Sequence, residues 1–405
     1  MLRVRSRVYQ LKHSLLNSIN ILLMTAMSIK KRLSDELGAS IGQVSAAIAL
    51  LDDGATVPFI ARYRKEATGG LDDTQLRLLQ TRLNYLRELE LRRKAIIDAI
   101  NAQQKMTPSL MAAIEAAQEK TQLEDLYLPY RPKRRTKAKL AAEAGLTDLA
   151  DRLLENPTLD PETEAISFLR TPFETTDGEN PGVPDVKAAL DGARQILMER
   201  FSEDATLLTS VRQYLDRHGV LESKATDSAK SKDTELRFTD YYDYAEPVSH
   251  IPSHRMLAIL RGRREDILST RIRLDSEIEP PKWSDPHNPI ESLIAKKEGI
   301  ANLGRKADQW LIDTVRWTWR VRILPHIETE LMAKLREHAE DDAILVFAKN
   351  LRSLLLAAPA GAKVTMGLDP GIRTGVKVAI VDRTGKVLAT DTVYPHQPKN
   401  DWQGA

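Results

Sequence analysis

Three groups of side chains in the 405-residue sequence have types and spacings suited to chemistry, and two of them are cationic. The first is Arg62, Arg64 and Lys65 around Tyr63, lying between Pro58 and Gly69-Gly70. The second is Arg131, Lys133, Arg134, Arg135, Lys137 and Lys139, with Tyr127 and Tyr130 alongside. Cations gathered at a bend neutralise phosphates and release their counterions, which binds a nucleic-acid backbone without reading bases. The plain alternative is a solvated face, or pairing with acids of the same protein, and Glu124 and Asp125 are at hand for that. The third group is Asp369 in Asp369-Pro370-Gly371. One carboxylate can ligate a divalent cation such as Mg or Mn, but phosphodiester hydrolysis by two cations about 4 Å apart needs several. Asp-Pro-Gly is also an ordinary turn sequence.

The elements that must position these groups are mostly helices. Pro58 favours a short helix start and Gly69-Gly70 stops it, and Asp72 then caps a long helix with Leu76, Leu79, Leu83, Leu86 and Leu89 on one side. Pro129 and Pro132 hold the second basic segment extended, and Thr136 caps the helix after it, so a basic loop feeds a helix N-terminus. Ser40, and Thr107 with Pro108, start further helices, and residues 186–203 and 205–217 read as a helix pair after a Pro/Gly/acidic loop at 171–184. Residues 220–238, mixed in charge and poor in apolar side chains, are expected to be a linker or mobile insert.

Beyond the insert, Ser253 is expected to cap a helix bearing Arg255, Arg261, Arg263 and Arg264, followed by a strand at 267–274. His250 and His254 have a metal-ligand spacing, but Pro252 between them breaks the shared face, so no metal site is expected. Trp310 and Trp317, seven apart on one helical face, are assigned to the core rather than to base stacking. Pro325 opens a helix to about Ala357, roughly 50 Å long at 1.5 Å per residue. Its apolar patches at Ile327, Leu331 and Leu335, and at Ile344, Phe347, Leu351, Leu354 and Leu355, predict a connector buried at both ends.

Val364, Met366 and Leu368 alternate before Asp369, the run 375–381 meets the hairpin signal Arg383-Thr384-Gly385, and residues 386–394 pair back. Three such antiparallel strands resemble the opening of an RNase-H-like domain of the resolvase type. That resemblance implies that Asp369 is one of several metal-holding carboxylates, the others lying in a parallel continuation that this sequence does not reach.

Composition bounds the function classes. Fifty-nine basic against 57 acidic residues leave +2, so average charge carries no polyanion signal and only local clustering can. The lack of cysteine excludes disulfides and thiolate metal sites and fits a reducing cytoplasm. The first 23 residues carry Arg3, Arg5, Arg7 and Lys12, with no acid before Asp35. Their apolar run is too short to span a bilayer, so residues 1–26 are read as a non-structural extension.

Four separated words, VPFIARYRKEATGGLDD at 57–73, LEDLYLPYRPKRRTKA at 123–138, IPSHRMLAILRGR at 251–263 and GLDPGIRTGVKVAIVD at 367–382, resemble the Tex family of bacterial transcription accessory proteins. The resemblance runs from about Met27 to the end. It implies a helical N-terminal region, an RNase-H-like domain, helix-hairpin-helix elements and an OB-fold RNA-binding module, and a transcriptional role related to a eukaryotic elongation factor.

The expected fold is therefore mainly α: a helical region at 27–219, the insert at 220–238, a helical region with a small strand element at 239–324, a connector helix at 325–358 and an incomplete RNase-H-like domain at 362–405. The expected function is that of a fragment of a cytoplasmic, monomeric transcription accessory protein, lacking the helix-hairpin-helix and OB-fold modules, with a non-catalytic RNase-H-like domain and no membrane partner, binding RNA or DNA backbone through Arg62, Arg64, Lys65, Arg131, Lys133, Arg134, Arg135 and Lys137. RNA polymerase or ribosome-associated proteins are the expected protein partners. Two alternatives stay open: a metal-dependent nuclease using Asp369, and a helical scaffold whose basic patches meet acidic protein surfaces. No cofactor is expected outside the nuclease reading.

Overall fold

The computed structural model describes residues 29–275, 288–358, 361–371, 374–396 and 399–405, and only the backbone of 230 and 231. The extension read at 1–26 lies outside these. Among the described residues the fold is mainly α with three small antiparallel sheets, and no helix is long and apolar enough to cross a membrane. The chain divides into two compact units, one ending at Ala333 apart from an excursion over 252–264, the other made of Pro252–Arg264 and Lys334–Ala405.

The first unit begins with a bundle around the helix Asp73–Ala102, 30 residues long. Its stripe of Leu76, Leu79, Leu83, Leu86, Leu89, Ile96 and Ile100 packs with Val44, Ile60 and Leu123 in one core. The sequence sets both ends of this arrangement. Asp72 accepts from the Gln75 amide and Gln75 returns a bond to the Asp72 amide, and Ser40 and Gln43 make the same reciprocal box before the helix Ile41–Asp52. Such caps satisfy amides the helix cannot, worth about 1 kcal/mol each.

A second group of helices gathers on Val186–Ser202, which buries Ala189, Ala193, Leu197, Met198 and Phe201. Gly192 on this helix is needed for close approach, since a Cβ there would lie 2.4 Å from Leu146 Cδ1. Residues 171–184, read as a loop, contain a short hairpin, β1 (Phe173–Thr175) and β2 (Gly178–Asn180).

The segment 220–238 is not a linker. β3 (Gly219–Ala225) is the central strand of a sheet ordered β4-β3-β5, between β4 (Asp243–Pro247) and β5 (Leu268–Leu274). Periodicity missed it because its buried positions include polar residues whose partners lie far away in sequence. Glu222 is held by Arg271 and Arg273 of β5, and Ser223 Oγ donates to the Tyr241 carbonyl at 2.9 Å. Asp233, also buried, accepts from the amides of Arg237 and Phe238 and from the Tyr242 hydroxyl, which closes the turn that follows. Buried polar groups are tolerated when paired in this way.

Trp310 is buried as expected, at 8% exposure, but Trp317 is 53% exposed. The buried arc of Asp308–Trp317 centres on Leu311, Thr314 and Val315. At 100° per residue Trp310 sits on the edge of that arc and Trp317 about 20° further out. A π-helical turn at Thr318–Ile323 then brings Trp319 and Ile323 into the core instead.

The long helix spans Leu324–Leu355. Ile327 and Leu331 are buried in the first unit, but the second apolar patch is open, with Ile344, Phe347 and Leu354 each 65% exposed or more. The expected burial at both ends therefore holds only for the first patch. In the second unit Ser253 is the first residue of the helix Ser253–Arg264 rather than its cap, and its hydroxyl reaches Asp342 while the Pro252 carbonyl accepts the first amides. β6 (Thr365–Gly371), β7 (Gly375–Val381) and β8 (Val387–Val393) form the expected antiparallel meander.

Candidate nucleic-acid interface

The first cationic group sits at the end of the short helix Val57–Tyr63 and in the turn after it. Val57 and Ile60 anchor the helix in the core, so Phe59, Arg62 and Tyr63 face outward. Gly69, at φ +60°, fixes the return: its carbonyl accepts from Gln43 Nε2 at 2.7 Å, and a Cβ would meet Gln43 Cγ at 2.8 Å. Arg62, Arg64 and Lys65 are exposed, and among the described residues none of their charged groups has an ion pair or hydrogen bond. Phe59 and Tyr63, 42% and 68% exposed, lie 5.4 Å apart by ring centroid, with the Arg64 guanidinium 5.9 Å from the Phe59 ring.

The second group divides. The helix Lys120–Tyr127 and a 3-10 turn at Leu128–Tyr130 lead into an extended stretch that Thr136 ends by capping Lys137–Glu143. Within it Arg135 is turned inward. It donates to Glu143 Oε2 at 2.7 Å, to Thr175 Oγ1 and to the carbonyls of Asp177, Gly178 and Glu179, so it staples the β1–β2 turn. Gly178, at φ +109°, lets that guanidinium approach. The bond from Arg135 keeps the Glu143 carboxyl below its usual range.

Lys133, its side chain 28% exposed, bridges Glu199 and Glu203. Burial alone would push its pKa down, but the bonds to those two acids leave it raised, while burial also raises Glu203. Lys139 pairs with Asp177. Arg131, Arg134 and Lys137 are exposed, and among the described residues their charged groups make no ion pair or hydrogen bond, although the charge of Arg131 adds to the field on Glu124. Of the two acids weighed as internal partners, Glu124 is held below its usual range by Arg92, and Asp125 pairs with Arg212.

These pairs set one expected outcome here. Lys133→Met lowers the melting temperature, and by more at pH 8 than at pH 5. Lys133, with its folded pKa raised, stabilises below its unfolded pKa and loses that contribution only as pH rises through the folded value. Without it Glu199 and Glu203 repel when ionised, and Glu203 takes up a proton readily on the acid side because burial raises it. A melting series from pH 5 to 8 reads this directly.

Asp369 lies in β6 opposite Lys377, which in turn faces Thr392 of β8. Asp391 faces Val378 and, through it, Leu368. Directly opposed residues share a face, so the two aspartates project to opposite sides of the sheet. Among the described residues the His/Asp/Glu grouping compact enough for a metal ion is Asp125, His326 and Glu330, not Asp369 or the two histidines at 250 and 254. There the positive charge comes from Arg212, which donates to both carboxylates.

Against this geometry, three family models match in chain order: "Tex-like protein N-terminal domain" over residues 27–101, "Tex central region-like" over 156–347, and "Tex protein YqgF-like domain" over 363–405. The chain is 54% identical over 365 residues to "Protein YhgF" of Escherichia coli strain K12, a match covering 90% of this chain and 45% of that protein. It is 50% identical over 380 residues to "Protein tex" of Bordetella pertussis, covering 92% of this chain and 46% of the relative. More distantly, it is 29% identical over 356 residues to the human "S1 RNA-binding domain-containing protein 1", covering 86% of this chain and 34% of the relative. The chain thus spans about half the length of its bacterial relatives. With the three models in order and half its residues shared with these bacterial proteins, the chain belongs to the Tex family.

Proposed function

We propose that the protein is a transcription accessory factor that grips RNA or DNA by its backbone, through Arg62, Arg64 and Lys65 at one bend and Arg131, Arg134 and Lys137 at the other. The observation that carries this reading is the division of the basic residues. Among the described residues these six present charged groups to solvent with no ion pair or hydrogen bond, whereas Lys133 and Arg135 are occupied in holding the second bend in shape. On this reading Lys133 and Arg135 act by positioning their neighbours. A relative named "Transcriptional accessory protein Tex" from Neisseria gonorrhoeae, 51% identical over 375 residues, supports the transcriptional half of the proposal. Contacts of this kind fix where the protein sits and are indifferent to base sequence. RNA polymerase or ribosome-associated proteins are the protein partners we propose.

The test is equilibrium binding to single- and double-stranded RNA and DNA across 50 to 200 mM salt. The proposal requires affinity to fall by orders of magnitude over that range, as counterion release dictates for several phosphate contacts. Salt-insensitive binding, or none, contradicts it and favours the protein-scaffold alternative. We also propose that the chain does not cut nucleic acid, because among the described residues the strands place Lys377 and Thr392 beside Asp369 and no second carboxylate on its face. Incubation with branched and single-stranded substrates plus Mg or Mn is expected to leave them intact, and metal-stimulated cleavage lost in Asp369→Asn would refute this.

A further inference from the structure

Trp317 ends the helix Asp308–Trp317 with its indole 53% exposed. It forms one wall of a cleft of about 380 Å³, a size ordinary for small-ligand sites. The floor is the Val186–Ser202 helix, which contributes Gly192, Gln195 and Met198, and Lys137 stands at the rim. Large exposed aromatics are costly to leave in water, and the fold has Trp310 and Trp319 for its core already.

The polar groups around this indole are only partly used. Lys137 has no charged-group partner among the described residues. Gln195 accepts at Oε1 from Arg322 Nη2 at 3.3 Å, which leaves its amide N–H groups to donate. Arg194 holds Asp191 through Nη1 at 3.0 Å, so the acid in the cleft is already offset, while Arg194 Nε is shielded from solvent with no acceptor among the described residues. An aromatic face, a free ammonium group and unspent donors, with a paired acid, suit a flat, acceptor-bearing ring attached to a phosphate.

We propose that this cleft takes one unpaired nucleotide of a single strand, its base stacked on Trp317, its phosphate on Lys137 and its ring carbonyl or nitrogen on the Gln195 amide. The assignment rests on the backbone-binding reading above, because Lys137 belongs to both, and it adds what phosphate contacts lack. A base inside a duplex cannot offer its face to an indole, so the cleft makes the protein prefer single strands.

The test uses the full chain with a twelve-nucleotide single strand, an abasic phosphodiester of the same length, and a free mononucleotide. The natural strand is expected to bind roughly 5- to 100-fold more tightly than the abasic one, the range that one base–aromatic stack supplies. Trp317→Ala should abolish that difference, and Trp317→Phe should keep most of it. Trp317 is a surface residue, and a circular dichroism melt checks that both variants fold. A difference that persists in Trp317→Ala overturns the assignment, as does equal binding of the two strands by the wild type. Mononucleotide binding as tight as the strand's would assign the cleft to free nucleotides and likewise overturn it. If both strands bind equally but with steep salt dependence, only the Trp317 proposal fails; if neither binds, the backbone reading fails with it.

Discussion

Replacing Asp125 with alanine is expected to lower the unfolding free energy by about 3–5 kcal/mol, the range for removing one partner of a buried ion pair. The Asp125 side chain is 3% exposed and takes two bonds from Arg212, one from Nη2 at 2.8 Å. Arg212, 20% exposed, also donates to Glu330 from Nε at 2.6 Å. The three residues come from the helices Lys120–Tyr127, Ala205–His218 and Leu324–Leu355, so the cluster ties the bundle carrying both cationic bends to the rest of the first unit. Without Asp125 the guanidinium keeps Glu330 but stays half-buried with unmet donors. Asp125→Leu combined with Arg212→Met should recover part of the loss, because burial of the charges, not their attraction alone, sets the size of the effect. Denaturant titration of the wild type and the two variants measures it.

The pH dependence of stability runs with two signs. Burial raises the Asp125 pKa despite Arg212, so that group alone makes the folded state bind the proton more readily, and its contribution shrinks as pH rises through the shifted value. Glu36, Asp52, Glu124 and Glu222 are held down by bonds from Arg82, Arg87, Arg92 and Arg271. Their contribution is present above the unfolded carboxylate pKa of about 4 and is lost as pH falls through the folded values. Burial raises Glu203 and Glu298 as well, but among the described residues depressed carboxyls outnumber raised ones, so the melting temperature should drop on acidification below about pH 4.

The second large effect concerns binding. Arg62→Ala/Arg64→Ala/Lys65→Ala should weaken single-strand affinity by roughly 100-fold at 0.1 M salt, since three counterion-release contributions are removed together. Stability should change little: the three side chains are exposed and, among the described residues, have no ion pair or hydrogen bond, Arg64 only lying near the half-exposed Phe59 ring, and Val57, Ile60 and the Gly69–Gln43 bond hold the turn without them. Fluorescence anisotropy with a labelled oligonucleotide reads the affinity, and a thermal melt of the same sample separates lost contact from lost fold.

Much of the frame was legible in the residues. Ser40, Asp72, Thr107 and Thr136 cap the helices they precede, because capping is local chemistry within three residues. The leucine stripe of Asp73–Ala102 and the meander after Val364 are equally local patterns. What stayed hidden depends on distant partners. β3 is buried beside polar residues answered by Arg271, Arg273 and Tyr241, and no window around Val220 contains those. The basic segment looked uniform for much the same reason: Lys133 and Arg135 differ from Arg134 and Lys137 through the distant Glu199, Glu203 and hairpin at 173–180, with Glu143 the one nearby partner, of Arg135. Glu124 and Asp125, the nearby acids, pair with Arg92 and Arg212 instead. Trp317 left the core by about 20° of helical phase, too fine a margin for a seven-residue spacing to show.

The most direct measurement is the slope of log affinity against log salt for eight single alanine variants on one single-stranded oligonucleotide. At Arg62, Arg64, Lys65, Arg131, Arg134 and Lys137 each substitution should make the slope shallower by about 0.7, one released counterion per lost phosphate contact. At Lys133 and Arg135 the slope should stay at the wild-type value while the melting temperature falls. Slopes unchanged at the six, or shallower only at the two paired residues, would contradict the account.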